Sequence, residues 1–253
     1  MMFGLRGAGS PAAVFAEAVA AHAANVDVRR NSRRFSISVP SVIPNLHALL
    51  QVRDNVAMPQ APHLIVPNFL SAEDHSNLLR WTLENQNTFV PARVHTGVDD
   101  KLRRALVMQD VGPFKMPLAK AASSQYRGWL TQMGLPPFDV SGIELELAAH
   151  NDGAHFTRHT DTQTVMGQGS HRALSAVYYF HREPKSFTGG QLRLFSADDE
   201  TYTDIEPTQN TLAIFPSFVP HQVMPIACPS QEFADSRFAI NCWLHVRTRA
   251  ATA

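Results

Sequence analysis

Two cysteines, Cys228 and Cys242, are all that this chain of 253 residues carries. They form no C-x-x-C pair, and two thiols are a poor disulfide framework at this length, which points to a reducing, cytoplasmic compartment. Charge of one sign is lacking too: 22 Lys plus Arg balance 22 Asp plus Glu, for a formal net charge of zero. A nucleic-acid binder normally carries a basic surplus, so that partner class is set aside. No apolar run reaches the length of a bilayer span, which sets aside a membrane protein. Internal repeats and low-complexity tracts are also missing. What is present is 44% hydrophobic residues, enough for one sizeable core without a second domain.

The chain divides by composition. Residues 1–58 read as an N-terminal extension, a short Ala-rich helix and a solvated tail holding the basic cluster "RRNSRR". The alternative for this Arg-rich start is a mitochondrial transit peptide. "MPQAP" at 58–62 is a linker into a main domain over 59–253. There, "HLIVPNF" reads as a buried strand. "SAEDHSNLLRWTLENQ" reads as a helix capped by Ser71, with Asp74 completing the cap and Leu79 and Leu83 on one face. A second helix repeats Leu118, Ala122, Tyr126, Trp129, Leu130 and Met133 at helical spacing, and Gly134 with Pro136–Pro137 stops it. From residue 138 onward short runs of β-formers alternate with turn residues, the grammar of a sandwich or barrel. The resulting fold class is mainly β (α+β), with the helices on one outer face.

Three histidines have a carboxylate two residues on: His150–Asp152, His159–Asp161 and His181–Glu183. On a strand such residues face the same way and can aim two ligands at one point. Gly153 suggests a turn that splays the first pair, and Pro184 puts the third in a loop. His159–Asp161 follows extended chain and is the best candidate. His221, after the apolar strand "TLAIFP", is placed to supply a third ligand. Two imidazoles and one carboxylate are the facial triad of non-haem iron(II), which leaves three positions open for a chelating co-substrate and dioxygen. Arg237 opens "RFAINCWL", where period two puts Arg237, Ala239, Asn241 and Trp243 on one face. A guanidinium pointing into a barrel is costly unless it meets an anion, which it can grip through paired hydrogen bonds. A small dicarboxylate such as 2-oxoglutarate serves both ends. His155, His171, His181 and His245 read as ordinary polar or satisfied histidines, and Trp243 as packing.

Residues 140–246 resemble the iron(II)- and 2-oxoglutarate-dependent dioxygenases, in particular the prolyl hydroxylase-like group. The resemblance lies in "NDGAHFTRHTD", "AVYYFHREPKSFTGGQLRLF", "DIEPTQNTLAIFPSFVPHQVMPI" and "SRFAINCWL", in that order. It implies a double-stranded β-helix (jelly-roll) barrel, Fe(2+), 2-oxoglutarate as co-substrate, dioxygen, and possible use of ascorbate. Residue by residue, it implies His159, Asp161 and His221 as metal ligands, Arg237 for the distal carboxylate, and Tyr179 as a hydrogen-bond donor to that carboxylate. The implied reaction decarboxylates 2-oxoglutarate to succinate and hydroxylates an unactivated C–H bond of a prolyl residue, amino acid or peptide-like substrate. The family often has tyrosine where His150 stands, and the stretch from His221 to Arg237 is longer than usual. A tailoring oxygenase of a small natural product and a non-catalytic metal-binding jelly roll remain as alternatives.

Overall fold

Residues 60–94, 97–162, 170–197 and 201–247 are described by the structure, a computed structural model. The extension expected over 1–58 lies outside them. The described strands are β1 (Leu64–Pro67), β2 (Val90–Pro91), β3 (Arg103–Arg104), β4 (Leu106–Met108), β5 (Val140–His150), β6 (His155–His159) and β7 (Ser170–Phe180). They continue as β8 (Thr188–Gly189), β9 (Leu192–Phe195), β10 (Tyr202–Ile205), β11 (Thr211–Pro216), β12 (His221–Val223), β13 (Ile226–Ala227) and β14 (Arg237–Arg247). The helices are α1 (Ala72–Glu84) and α2 (Lys115–Gln132).

Local chemistry marks the start of α1 and the end of α2. The Ser71 hydroxyl accepts from the Asp74 amide at 3.0 Å and donates to the Asp74 carboxylate at 2.8 Å, closing the N-cap of α1. Leu78 and Thr82, not Leu79 and Leu83, form its fully buried stripe, and the leucines at 79 and 83 pack at its margin. α2 buries Leu118, Ala122, Tyr126, Trp129 and Leu130 as its periodicity requires. Gly134, with φ of +67°, terminates it, and the Leu135 amide returns to the Leu130 carbonyl at 2.8 Å.

Seven strands form one sheet in the order β1-β11-β7-β14-β5-β4-β2, and five form a second in the order β10-β9-β12-β6-β3. The pairings among β1, β11, β7, β14, β5, β4 and β2 are all antiparallel. Alternation decides each side chain's destination. Leu145, Leu147 and Ala149 of β5, Leu174, Ala176 and Tyr178 of β7, and Phe238, Ile240 and Cys242 of β14 pack with the helices in one apolar cluster. The intervening residues, among them Tyr179, Ala213, Phe215 and Ala239, pack with Leu192 and Leu194 of the second sheet. Two facing sheets with helices over one outer face make the jelly-roll architecture expected from the sequence.

One expected feature differs. "HLIVPNF" is not a buried strand: among the described strands β1 pairs only with β11, at the sheet's edge, and Ile65 is 45% exposed. Hydropathy alone cannot separate an edge from a central strand, because edge position is set by pairing far along the chain.

Candidate active site

His159 ends β6 and His221 begins β12, and these two residues are register partners in the second sheet. Asp161 lies just beyond β6, where its amide and that of Thr162 donate to the Ser217 carbonyl at 2.9 and 3.2 Å. The ligand atoms of His159, Asp161 and His221 all lie within 4.8 Å of one another. His159 Nε2 is 3.7 Å from Asp161 Oδ1, and His221 Nε2 is 3.5 Å from Asp161 Oδ2. Both separations are shorter than two metal–nitrogen bonds of about 2.1 Å end to end, so one cation can reach across them.

The histidines are held for this geometry. His159 Nδ1 lies 2.8 Å from the Thr157 carbonyl and His221 Nδ1 lies 2.9 Å from the Val219 carbonyl. An Nδ1–H donating to each carbonyl leaves Nε2 as the lone-pair nitrogen facing the carboxylate. Burial, with the neighbouring His221, pushes His159 down to about 3. It is therefore neutral at pH 7 and has no proton to surrender before ligating a metal. Burial pushes the Asp161 carboxyl up, but His221, His159 and two hydrogen bonds more than offset this and hold it below its usual value.

Those two bonds come from residues that sequence reasoning passed over. Trp243 Nε1 and Ser175 Oγ each donate to Asp161 Oδ2 at 2.8 Å. Ser175 Oγ in turn accepts a hydrogen bond from Ser217 Oγ at 2.8 Å, since its own proton is committed to Asp161. With two donors on Oδ2, Oδ1 is the freer oxygen. Trp243 is thus more than packing. The available signal was period two, which already puts residue 243 on the face of Arg237. Arg172 lies over the Trp243 ring at 3.7 Å and grips Glu144 with Nε and Nη2 at 3.0 and 2.6 Å. His245 Nε2, 3.1 Å from Glu144 Oε2, completes that cluster, so this histidine is satisfied as expected.

Arg237 is 1% exposed and opens β14 opposite His150 of β5. Its guanidinium carbon lies 4.8 Å from the Tyr179 ring centroid, and Nη1 is 3.1 Å from His150 Nδ1. Burial, then the Arg237 charge, drives His150 well below its ordinary value, so it faces the guanidinium as a neutral acceptor. Arg237 Nε and the Tyr179 hydroxyl are both buried and, among the described residues, have no hydrogen-bond partner. Orphaned buried donors side by side are expensive unless a ligand meets them. A carboxylate fits both. Gly190 lies against this pocket with φ of +74°, and a Cβ there would fall 2.8 Å from Arg237 Cδ. The pocket therefore needs glycine for conformation and for room.

The other H-x-acid pairs go elsewhere. Asp152 Oδ1 accepts from the Cys228 amide at 2.9 Å beside Gly153, which has φ of +71°. His181 and Glu183 are 3.7 Å apart in the connection after β7. His155 Nδ1 and Nε2 lie 3.0 and 3.3 Å from the carbonyls of Gly153 and Lys101. The long connection from His221 to Arg237 is tied down by Asn151, which donates to the Glu232 carbonyl and to Ser236 Oγ at 2.8 Å each. No described helix is long and apolar enough to cross a membrane.

Comparison with known proteins agrees with this chemistry. The model of the 2OG-Fe(II) oxygenase superfamily matches residues 145–245. An uncharacterized PKHD-type hydroxylase of Synechocystis sp. is 30% identical over 211 residues, spanning 79% of this chain and 67% of the relative. The crystal structure of a Pseudomonas putida prolyl-4-hydroxylase superposes with a TM-score of 0.55 at 26% identity, over 75% of this chain and 94% of that one. A Trichoplax adhaerens prolyl hydroxylase, solved with a hypoxia inducible factor peptide, has a TM-score of 0.55 at 22% identity, covering 72% and 83%; at that identity the likeness is one of fold.

Proposed function

We propose, on the premise that this chain belongs to the 2OG-Fe(II) oxygenase superfamily and is a 2-oxoglutarate-dependent hydroxylase, that it hydroxylates an unactivated C–H bond of a prolyl residue in a peptide-like substrate. The observation that carries the site assignment is the pairing of a His-Asp-His triad with two orphaned buried donors inside one barrel. The donor set fits the group that the family implies. His159, Asp161 and His221 would hold iron(II), while Arg237 and Tyr179 would take the distal carboxylate of 2-oxoglutarate. Iron(II) held there would activate dioxygen, the oxidant, whose two oxygen atoms would end in succinate and in the hydroxylated C–H bond, with 2-oxoglutarate giving up two electrons as it loses carbon dioxide. The chain's own work is to keep the His159 imidazole neutral, fix the carboxylate through Trp243 and Ser175, and bury the co-substrate's far end away from water. Prolyl chemistry is supported by the P. putida prolyl-4-hydroxylase likeness. Ascorbate is the reductant proposed to keep the iron ferrous, and the free thiols Cys228 and Cys242 favour a reducing compartment such as the cytoplasm.

The test is incubation of purified protein with iron(II), 2-oxoglutarate and panels of proline-containing peptides and free amino acids. Succinate release together with a mass gain of one oxygen on a peptide supports the reading. Oxygen gain on a free amino acid alone overturns its peptide part, and absence of iron-dependent succinate overturns the whole.

Trp243→Phe keeps an aromatic ring under Arg172 but removes the donor to Asp161. Turnover or metal affinity is expected to fall about 10–100-fold, the usual cost of losing an outer hydrogen bond to a ligand. Unchanged affinity and turnover would show that Ser175 alone positions the carboxylate.

Residues 59–253 are assigned to the dioxygenase domain and 1–58 to an extension outside it. A chain starting at Ala57 is expected to turn over as the full chain does. Loss of its activity in the succinate assay would place part of the extension in the site or the core.

A further inference from the structure

Among the described residues, Arg103 is the one buried cation near the triad that neither the metal nor the co-substrate reading uses. It sits on β3, paired with the metal-bearing β6, and its side chain is 10% exposed. The guanidinium lies over Phe156 at 5.0 Å, and Phe156 stacks on the His159 ring with centroids 3.5 Å apart. One Nη pairs with Glu146, while Nε is buried with no partner among the described residues. Glu146 is fully served: it also accepts from Gln109 Nε2 at 3.1 Å and from Asn241 Nδ2 at 3.2 Å. That last bond fixes the Asn241 amide and leaves its Oδ1 as an acceptor.

This group faces the interior. Glu146 and Asn241 are register partners on β5 and β14, on the same side as Arg237 and away from the helices. Asn241 and Val177 belong to central strands yet are partly exposed, so the space between the sheets is open beside them.

We propose that Arg103 and Asn241 form the amide-recognition subsite for the substrate, with Arg103 donating to a carbonyl and Asn241 Oδ1 accepting an N–H. The charge balance selects the ligand class. Arg103 and Glu146 cancel, as Arg237 and the distal carboxylate would, so a further anion at Arg103 would go unbalanced in a buried site. A neutral ligand with neighbouring acceptor and donor, such as a peptide or carboxamide group, fits better. The proposal rests on the peptide reading above and adds where the backbone is gripped.

The test uses protein loaded with Mn(II) and N-oxalylglycine, so that binding is read without turnover. Probes are a panel of acetylated, C-terminally amidated peptides with a central proline, and free L-proline. The variants are Arg103→Met, Asn241→Leu, and Arg103→Met with Glu146→Met, which removes both charges and avoids a stranded carboxylate. Arg193→Met, on the second sheet, is the control. The expected result is that peptide dissociation constants rise tenfold or more in all three site variants and not in the control, with binding of N-oxalylglycine itself changed less than twofold. Equal peptide affinity in folded variants overturns the subsite and leaves peptide hydroxylation standing. Weakened N-oxalylglycine binding instead assigns Arg103 to the co-substrate and also overturns it. If no peptide binds the wild type while free L-proline does, the subsite and the peptide reading fall together.

Discussion

Replacing Arg237 with alanine is expected to raise the apparent Michaelis constant for 2-oxoglutarate steeply, by the equivalent of about 2–5 kcal/mol, the usual cost of stripping a buried charge of its partner. The side chain is 1% exposed, so the charge it supplies is not screened by bulk water. Tyr179 cannot compensate, because a phenol held above its ordinary value by burial offers one neutral hydrogen bond. His150 loses the donor 3.1 Å away and is left as a buried neutral acceptor. Arg237→Lys keeps the charge but loses the planar fork, and a smaller rise is expected. Metal affinity should barely move, since Arg237 is not among the clustered ligand atoms. Titrating 2-oxoglutarate into iron-loaded protein under argon, followed by the visible charge-transfer band, separates the two quantities. Equal affinity for wild type and Arg237→Ala would sink the assignment and reopen the identity of the co-substrate.

A still larger effect is expected from Asp161→Ala. The substitution removes the one anionic ligand, and it also leaves Trp243 Nε1, 2.8 Å from the lost oxygen, without an acceptor and Ser175 Oγ with Ser217 Oγ alone. Metal affinity should fall by more than the roughly 100-fold that loss of an outer partner costs, and turnover should vanish. His159→Ala should do the same while leaving the strand pairing of β6 intact. Metal content after dialysis, set beside the circular dichroism of each variant, is the deciding measurement. A folded Asp161→Ala protein that keeps stoichiometric iron would mean that the ion sits elsewhere.

The fold was readable where one local rule decides the outcome. Ser71 with Asp74 starts α1, Gly134 stops α2, and strict alternation along 237–243 sorts β14 into a helix-facing and an interior side. The His159–Asp161 pair could be chosen over its two rivals because Gly153 and Pro184 mark turns. What stayed hidden depends on partners far along the chain. Trp243 meets Asp161 across 82 positions and Arg103 meets Glu146 across 43, and no periodicity encodes such meetings. β2, β3 and β4 are two or three residues long, too short for a hydrophobic period, and exist because longer neighbours offer them hydrogen bonds. β1 looked buried because its composition is that of a core strand, and only the sheet order makes it an edge.

β14 carries Arg237 at one end of its interior face, Asn241 in the middle and Trp243 beyond, so a single stretch of backbone sets the spacing between the far anchor and the metal carboxylate. At about 3.3 Å per residue those six steps span about 20 Å. The strand therefore works as a gauge rod. Length changes inside it are not absorbed without a bulge, because one inserted residue would move every later side chain to the opposite face. The loop from Ala227 to Ser236 has no such duty and lies ahead of the rod. Residues can thus be added to that loop while the working length of the chamber stays fixed.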